Sequence, residues 1–339
     1  MNKKLLKQVA GIDVAQNELV VSMARMHDDL VTEVYAYKTF PNTAKGFMTL
    51  MDWVHKMTDQ AVAPVRYVME ATGVYHEPLA YFLDQQGSDI SIVLPNKISN
   101  YFRTLDVKTI TDKTASEAIA RFGLERTLDN WKRPAAVFKK LRQLTRERDQ
   151  VVGHRTMTKN QLHAEQAEAE PNKSSVARMK KQIQFLSKQE QEIRAEIAAL
   201  IQQDEGVKKS IKLISSVSGI GVLTAATILA ETNGFDLIRN KRQLTSYAGL
   251  DVREKQSGTS VKGKPRISKK GNKYLRKALH LPALAAIRSD ERFKAVFARL
   301  VAKHGIKMKG AVAVQRKLLE MVFILYRSNN LYDKNYLKN

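Results

Sequence analysis

Asp13 stands in an otherwise apolar run, Gly11-Ile12-Asp13-Val14-Ala15, and Glu70 closes another, Val65–Glu70. A carboxylate in such surroundings is costly unless it is paired, protonated or bound to a cation. Asp112, where a stretch with helical spacing begins, can supply a third acid, although an acid in a first turn is also favoured by the helix dipole alone. Hard oxygen donors of this kind suit Mg²⁺ or Mn²⁺, so the chemistry they point to is metal-assisted. Cysteine is absent, which excludes disulfides, thiolate zinc sites and cysteine nucleophiles.

The elements that must position these acids follow from the apolar pattern. Gln8–Ala15, Leu19–Arg25 and Glu33–Phe40 are apolar, β-branched runs with short polar connections, as in an antiparallel meander. Ala44–Met57 has helical spacing, Val65–Glu70 is a fourth strand, and residues 77–86 are helical. Ile90–Leu94 is a fifth strand ending at Pro95, and Thr111–Leu124 is a helix. The order β-β-β-α-β-α-β-α predicts a mixed sheet covered by helices, an α/β RNase H-like (RuvC-like) domain over residues 1–130. In that order the first and fourth strands can lie side by side, bringing Asp13 and Glu70 within reach of one ion.

Net charge sets the rest of the chain apart. The 339 residues carry 57 Lys+Arg against 34 Asp+Glu, +23 overall, and a polyanion is the natural partner. Residues 1–124 hold 13 basic and 14 acidic residues, so the whole excess, +24, falls on residues 125–339. Residues 131–209 read as a long helical connector, a coiled-coil hairpin broken near Glu170-Pro171-Asn172. Its apolar seam runs through Leu141, Leu144, Val151 and Val152 and returns through Ile183, Leu186, Ile193, Ile197, Leu200 and Ile201. That seam suits either an intramolecular hairpin or a dimerisation arm. Lys139, Lys140, Arg142, Arg146, Arg148, Arg155 and Lys159 make its first helix more basic than a solvated face needs, which marks them as candidate nucleic-acid contacts.

Residues 210–339 form a mainly α domain with a loop-rich centre. Ser218-Gly219-Ile220-Gly221 is a tight turn leading into an apolar helix; its backbone N–H groups suit a phosphate, although a glycine turn between packed helices is the commoner explanation. Residues 252–277 hold 10 basic residues and one acidic, punctuated by glycine, serine and proline until a helix starts near Asn272. Lys262, Lys264, Arg266, Lys269, Lys270, Lys273 and Arg276 are the candidate backbone contacts there.

Taken together, Gly11-Ile12-Asp13-Val14, Met69-Glu70-Ala71-Thr72-Gly73-Val74-Tyr75 and Lys108–Ala120 resemble the three acidic motifs of the DEDD transposases of the IS110 insertion-sequence family, the bridge-RNA-guided DNA recombinases. The resemblance extends over nearly the whole chain, through Gly219-Ile220-Gly221, Tyr247-Ala248-Gly249-Leu250 and Gln256-Ser257-Gly258 of a C-terminal transposase domain. It implies catalytic roles for Asp13, Glu70 and Asp112 as metal ligands and for Ser257 as the nucleophile. One departure stands out: the family's third motif has two aspartates three residues apart, and the second falls on Ala115. Alanine cannot coordinate a cation, so cleavage is expected to be impaired; an engineered substitution that holds a complex before cleavage, or natural divergence, accounts for it. Ser116 and Glu117 point elsewhere on a helix and are poor substitutes.

The implied reaction is transesterification by Ser257 on a DNA phosphodiester, in an oligomer, dimer or tetramer, with a guide RNA that pairs with donor and target DNA. No G-x-x-x-x-G-K-[ST] loop is present, in keeping with a reaction that needs no ATP. Other readings are a Holliday-junction or structure-selective nuclease using the same carboxylates, and a non-catalytic nucleic-acid scaffold. No run approaches the ~20 apolar residues that cross a bilayer, and the start lacks a signal peptide's apolar stretch, so a cytoplasmic, nucleoid-associated protein with no membrane partner is expected.

Overall fold

A computed structural model describes residues 3–59, 61–71, 73–105, 107–236, 238–254, 256–257, 261–263 and 265–334, the side chains of residues 256–257 and 261–262 excepted. The chain divides into two compact units, Met1–Arg133 and Pro134–Asn339.

In the N-terminal unit, β1 (Leu5–Val14), β2 (Glu18–His27) and β3 (Thr32–Pro41) form the meander. After α1 (Ala44–Met57) come β4 (Val65–Glu70), α2 (Glu77–Gln85), β5 (Asp89–Val93), α3 (Pro95–Phe102) and α4 (Asp112–Glu125). The sheet order is β3-β2-β1-β4-β5, antiparallel from β1 to β3 and parallel from β1 through β4 to β5. This is the RNase H-like topology, with β1 and β4 adjacent as the sequence order allows.

β1 reads as a nearly continuous buried run because both its faces are covered. Ala10 and Ile12 pack with Phe47 and Leu50 of α1 and Leu79 of α2, while Val9 packs on the opposite face with Ile119, Ala120 and Phe122 of α4. The strands run one to three residues beyond the apolar runs at several ends, since polar residues continue the ladder. α3 has no counterpart in the apolar pattern: Pro95, which ends the fifth apolar run, is also the first residue of a helix, where its missing N–H costs nothing.

The C-terminal unit opens with α5 (Ala136–Gln166) and α6 (Lys173–Gln203), whose pairs Lys140–Glu196 and Arg148–Glu190 show them antiparallel. Asn172 caps α6 by accepting from the N–H groups of Ser174 and Ser175, which places the break where the proline predicts it. There follow α7 (Glu205–Ser215), α8 (Val222–Thr232), α9 (Lys241–Tyr247), and the two-residue strands β6 (Val252–Arg253), β7 (Gln256–Ser257), β8 (Val261–Lys262) and β9 (Arg266–Ile267). The unit ends with α10 (Lys273–Ala278), α11 (His280–Ser289), α12 (Glu291–His304) and α13 (Lys307–Ser328). Leu141, Leu186 and Ile197 of the hairpin share one apolar core with Ile228, Leu279 and Leu318. Residues 134–209 pack as part of this unit. No helix among the described residues is long and apolar enough to cross a membrane.

Candidate active site

Register places the acids. β1 and β4 pair in parallel as far as Ile12 opposite Met69, so Asp13 and Glu70 follow as the next residue of each strand, at adjoining C-terminal ends. A Cβ at Gly11 would meet Ala120 N at 2.3 Å and Ser116 O at 2.5 Å, so glycine is what lets α4 lie directly on β1. Since that vacant position faces α4, Asp13, two residues on, faces the same way.

The start of α4 is held by a Thr111–Thr114 capping box and by the buried Ser116 hydroxyl, 2.7 Å from Ser22 Oγ on β2. This delivers Asp112, at the first position of α4, to the cleft lined also by Asp13, Glu18 and Tyr75. Asp13 is half-buried, and its carboxyl is pushed up to about 6, first by burial and then by the charges of Asp112 and Glu70. The three acids named from sequence thus lie within one another's field. Ser116 is committed to Ser22, and Glu117 lies 4.0 Å from Lys113, so neither replaces the carboxylate that Ala115 lacks.

All donors here are hard carboxylate oxygens, and a divalent cation would offset both the burial and the repulsion that raise Asp13, so the residues fit such an ion. Among the described residues the acids do not close into a ready metal cage. Glu18 was missed by the sequence reading. Only the hairpin register, Asp13 opposite Val20, turns Glu18 toward the same face as Asp13, and no local motif announces it.

Ser257 lies in the other unit, on β7, paired with Val261 of β8; its side chain falls outside the described residues, as do that of Lys262 and the whole of Thr72, Gly258 and Lys264. Backbone and side-chain hydrogen bonds frame the flanks of that loop. Ser268 N donates to Asp251 O at 2.8 Å, Asn272 N to Tyr247 O at 2.8 Å, and Arg276 Nη1 to Ala248 O at 2.8 Å. A Cβ at Gly271 would strike Tyr247 O at 2.4 Å, so the Tyr247-Ala248-Gly249-Leu250 segment and the end of the basic loop need this glycine to meet.

The basic candidates divide by environment. Arg146 makes a two-pronged pair with Glu231 (2.7 and 2.8 Å), whose side chain is 1% exposed and also accepts from Asn272. Arg148 and Arg155 each reach Glu190 at 2.6 Å, joined by Arg194 at 3.0 Å. Burial raises the Glu190 carboxyl, but the Arg148 hydrogen bond and the surrounding guanidinium charges outweigh it and hold the group below its ordinary value. These arginines brace the hairpin from within. Lys140 pairs with Glu196 at 3.4 Å; Lys139 and Arg142 are half-buried and also engaged; Arg276 binds carbonyls. Lys159, Arg266, Lys269, Lys270 and Lys273 are exposed.

The RNase H-like sheet thus gathers three acids at the ends of two adjacent strands and at the start of α4. Residues 10–166 match the family model described as a DEDD transposase of the IS110 type, and residues 211–298 match that of the transposase IS116/IS110/IS902 family. Both models describe transposases of the IS110 type, and between them they match residues 10–166 and 211–298 of this chain. It is 28% identical over 330 residues to the pilin gene-inverting protein of Moraxella bovis, covering 97% of this chain and 98% of that one. An uncharacterized 43.6 kDa protein of insertion element IS110 from Streptomyces coelicolor is 28% identical over 121 residues, 36% of this chain and 30% of that one. Among solved structures, T. thermophilus RuvC in complex with a Holliday junction substrate is 10% identical, covering 37% of this chain and 99% of that one with a TM-score of 0.28.

Proposed function

We propose that this protein is an RNA-guided DNA recombinase that cuts and rejoins strands through Ser257. The observation that carries the reading is the convergence of Asp13, Glu70 and Asp112 on one face at the ends of β1, β4 and α4. The full-length similarity to a protein named for gene inversion supports recombination over simple hydrolysis. Asp13, Glu70 and Asp112 would hold Mg²⁺ or Mn²⁺. Such a cation supplies electrophilic activation of the phosphate and offsets charge developing on its oxygens.

The Ser257 hydroxyl gives up its proton as Oγ bonds to phosphorus, and the P–O3′ bond breaks to leave a protonated 3′-hydroxyl. A 3′-hydroxyl of the exchanged strand then attacks the phosphoserine and returns the serine. One ester bond is made for each one broken, so no nucleotide hydrolysis is needed. Acids and serine lie in separate units, and the family's oligomer, dimer or tetramer, is where both would meet one phosphodiester. The exposed Arg266, Lys269, Lys270 and Lys273 grip backbone, while a guide RNA pairs with donor and target DNA and reads sequence.

Sequencing the nucleic acid that copurifies with the chain tests the guide: one discrete structured RNA is expected, and bulk cellular nucleic acid contradicts it. Ala115→Asp restores the fourth carboxylate and raises metal-dependent cleavage of cognate DNA; equal activity of both forms at saturating Mg²⁺ contradicts the assigned acids.

A further inference from the structure

A cavity of ≈ 790 Å³ opens in the C-terminal unit among α5, α8, α10, α11 and α13, within the ~300–1,000 Å³ usual for small-ligand sites. Arg146, Arg148, Arg276 and Lys277 line it against only Asp149 and Glu231. Both acids are already matched, Glu231 by Arg146 and Asp149 by Lys277 at 2.5 Å, and Arg148 is matched by Glu190. Among the described residues Arg276 bonds carbonyls rather than a carboxylate, so the cavity favours an anion. Its mouth is apolar: Leu281 is 72% and Met308 58% exposed.

At the other extreme Gln315, 4% exposed, also lines the cavity. Its amide makes one side-chain hydrogen bond among the described residues, 3.0 Å from His280 Nδ1. One N–H and the carbonyl oxygen of that amide are left over. A purely aliphatic occupant would leave them desolvated and unpaired. A flat ring with a donor beside an acceptor satisfies both, which is how a glutamine amide grips the N6 and N7 edge of adenine.

We propose that this cavity takes one unpaired adenine nucleotide turned out of a bound strand, its base against Leu281 and Met308, its edge on Gln315 and its phosphate toward Arg276. The assignment rests on the reading that the chain binds nucleic acid. An unpaired base is the inexpensive substrate for such a pocket, because little stacking is lost in turning it out.

The test compares end-labelled RNA duplexes that carry one bulged adenine, one bulged 7-deaza-adenine or one abasic bulge, with adenosine monophosphate as a competitor. The intact chain is expected to bind the adenine bulge about tenfold tighter than the abasic one, the worth of one held base, with the 7-deaza bulge between them. Gln315→Leu and Leu281→Glu should each abolish the difference in affinity between adenine and abasic bulges. Leu281 is so exposed that its variant keeps the wild-type melting temperature, which separates loss of the pocket from loss of the fold. Equal affinity for adenine and abasic bulges in the unsubstituted chain overturns the proposal. Monophosphate that displaces the adenine bulge at equal or lower concentration overturns the strand as the source of the nucleotide. Failure to bind any of the duplexes contradicts the nucleic-acid reading itself, and the proposal with it.

Discussion

Replacing Asp13 by asparagine should stabilise the metal-free protein at neutral pH. Burial and the charges of Asp112 and Glu70 raise the Asp13 carboxyl from 3.8 to about 6. At full value that shift corresponds to about 3 kcal/mol, and because the carboxylate is open to the cleft, solvent screening reduces it to about 1–2 kcal/mol. The folded-state value lies above the unfolded one, so between them the folded state binds more protons. The penalty is therefore absent below about pH 4, grows as pH rises through about 6, and is complete above it. Denaturant unfolding of the full chain in chelator, at about pH 7.5 and about pH 4, reads this directly, with the N-terminal unit's transition compared between wild type and Asp13→Asn. The variant should gain about 1–2 kcal/mol at the higher pH and nothing at the lower. Adding Mg²⁺ should stabilise the wild type more than the variant, since only a folded site binds the ion. No gain at neutral pH, or a gain that persists in acid, refutes the claim that the three acids share one field.

Two substitutions test the framework that places the site. Gly11→Ala drives a Cβ into the α4 backbone at Ala120 N and Ser116 O, where nothing can rotate away; it should cost about 2–3 kcal/mol in unfolding free energy and weaken Mg²⁺ binding by moving Asp112. Arg146→Ala strands the buried Glu231 carboxylate and should destabilise the C-terminal unit by about 3–5 kcal/mol, with much of the loss recovered in an Arg146→Met, Glu231→Leu double variant as read by thermal melting.

The sheet and its acids were legible because both signals are local. An aspartate in an apolar strand is conspicuous wherever it occurs, and strand order follows from the succession of apolar periods. Glu18 was hidden, since its direction depends on the pairing of β1 with β2 and on no spacing within either run. The basic residues show the opposite failure. Arg146 and Arg148 advertise a polyanion in the sequence, yet their partners Glu231 and Glu190 lie 85 and 42 residues away, and only packing reveals that these charges are matched. Likewise, the α5–α6 hairpin looks independent by composition. Its buried seam continues into the core of the helices that follow.

The central claim is that acids of the N-terminal unit and a hydroxyl of the C-terminal unit act on one phosphodiester. A denaturing gel measures it most directly, after the Ala115→Asp chain is incubated with Mg²⁺, cognate DNA and the copurified RNA. The account predicts a covalent protein–DNA adduct that disappears in both Ser257→Ala and Asp13→Asn. An adduct that survives Ser257→Ala, or clean hydrolysis with no adduct, contradicts it.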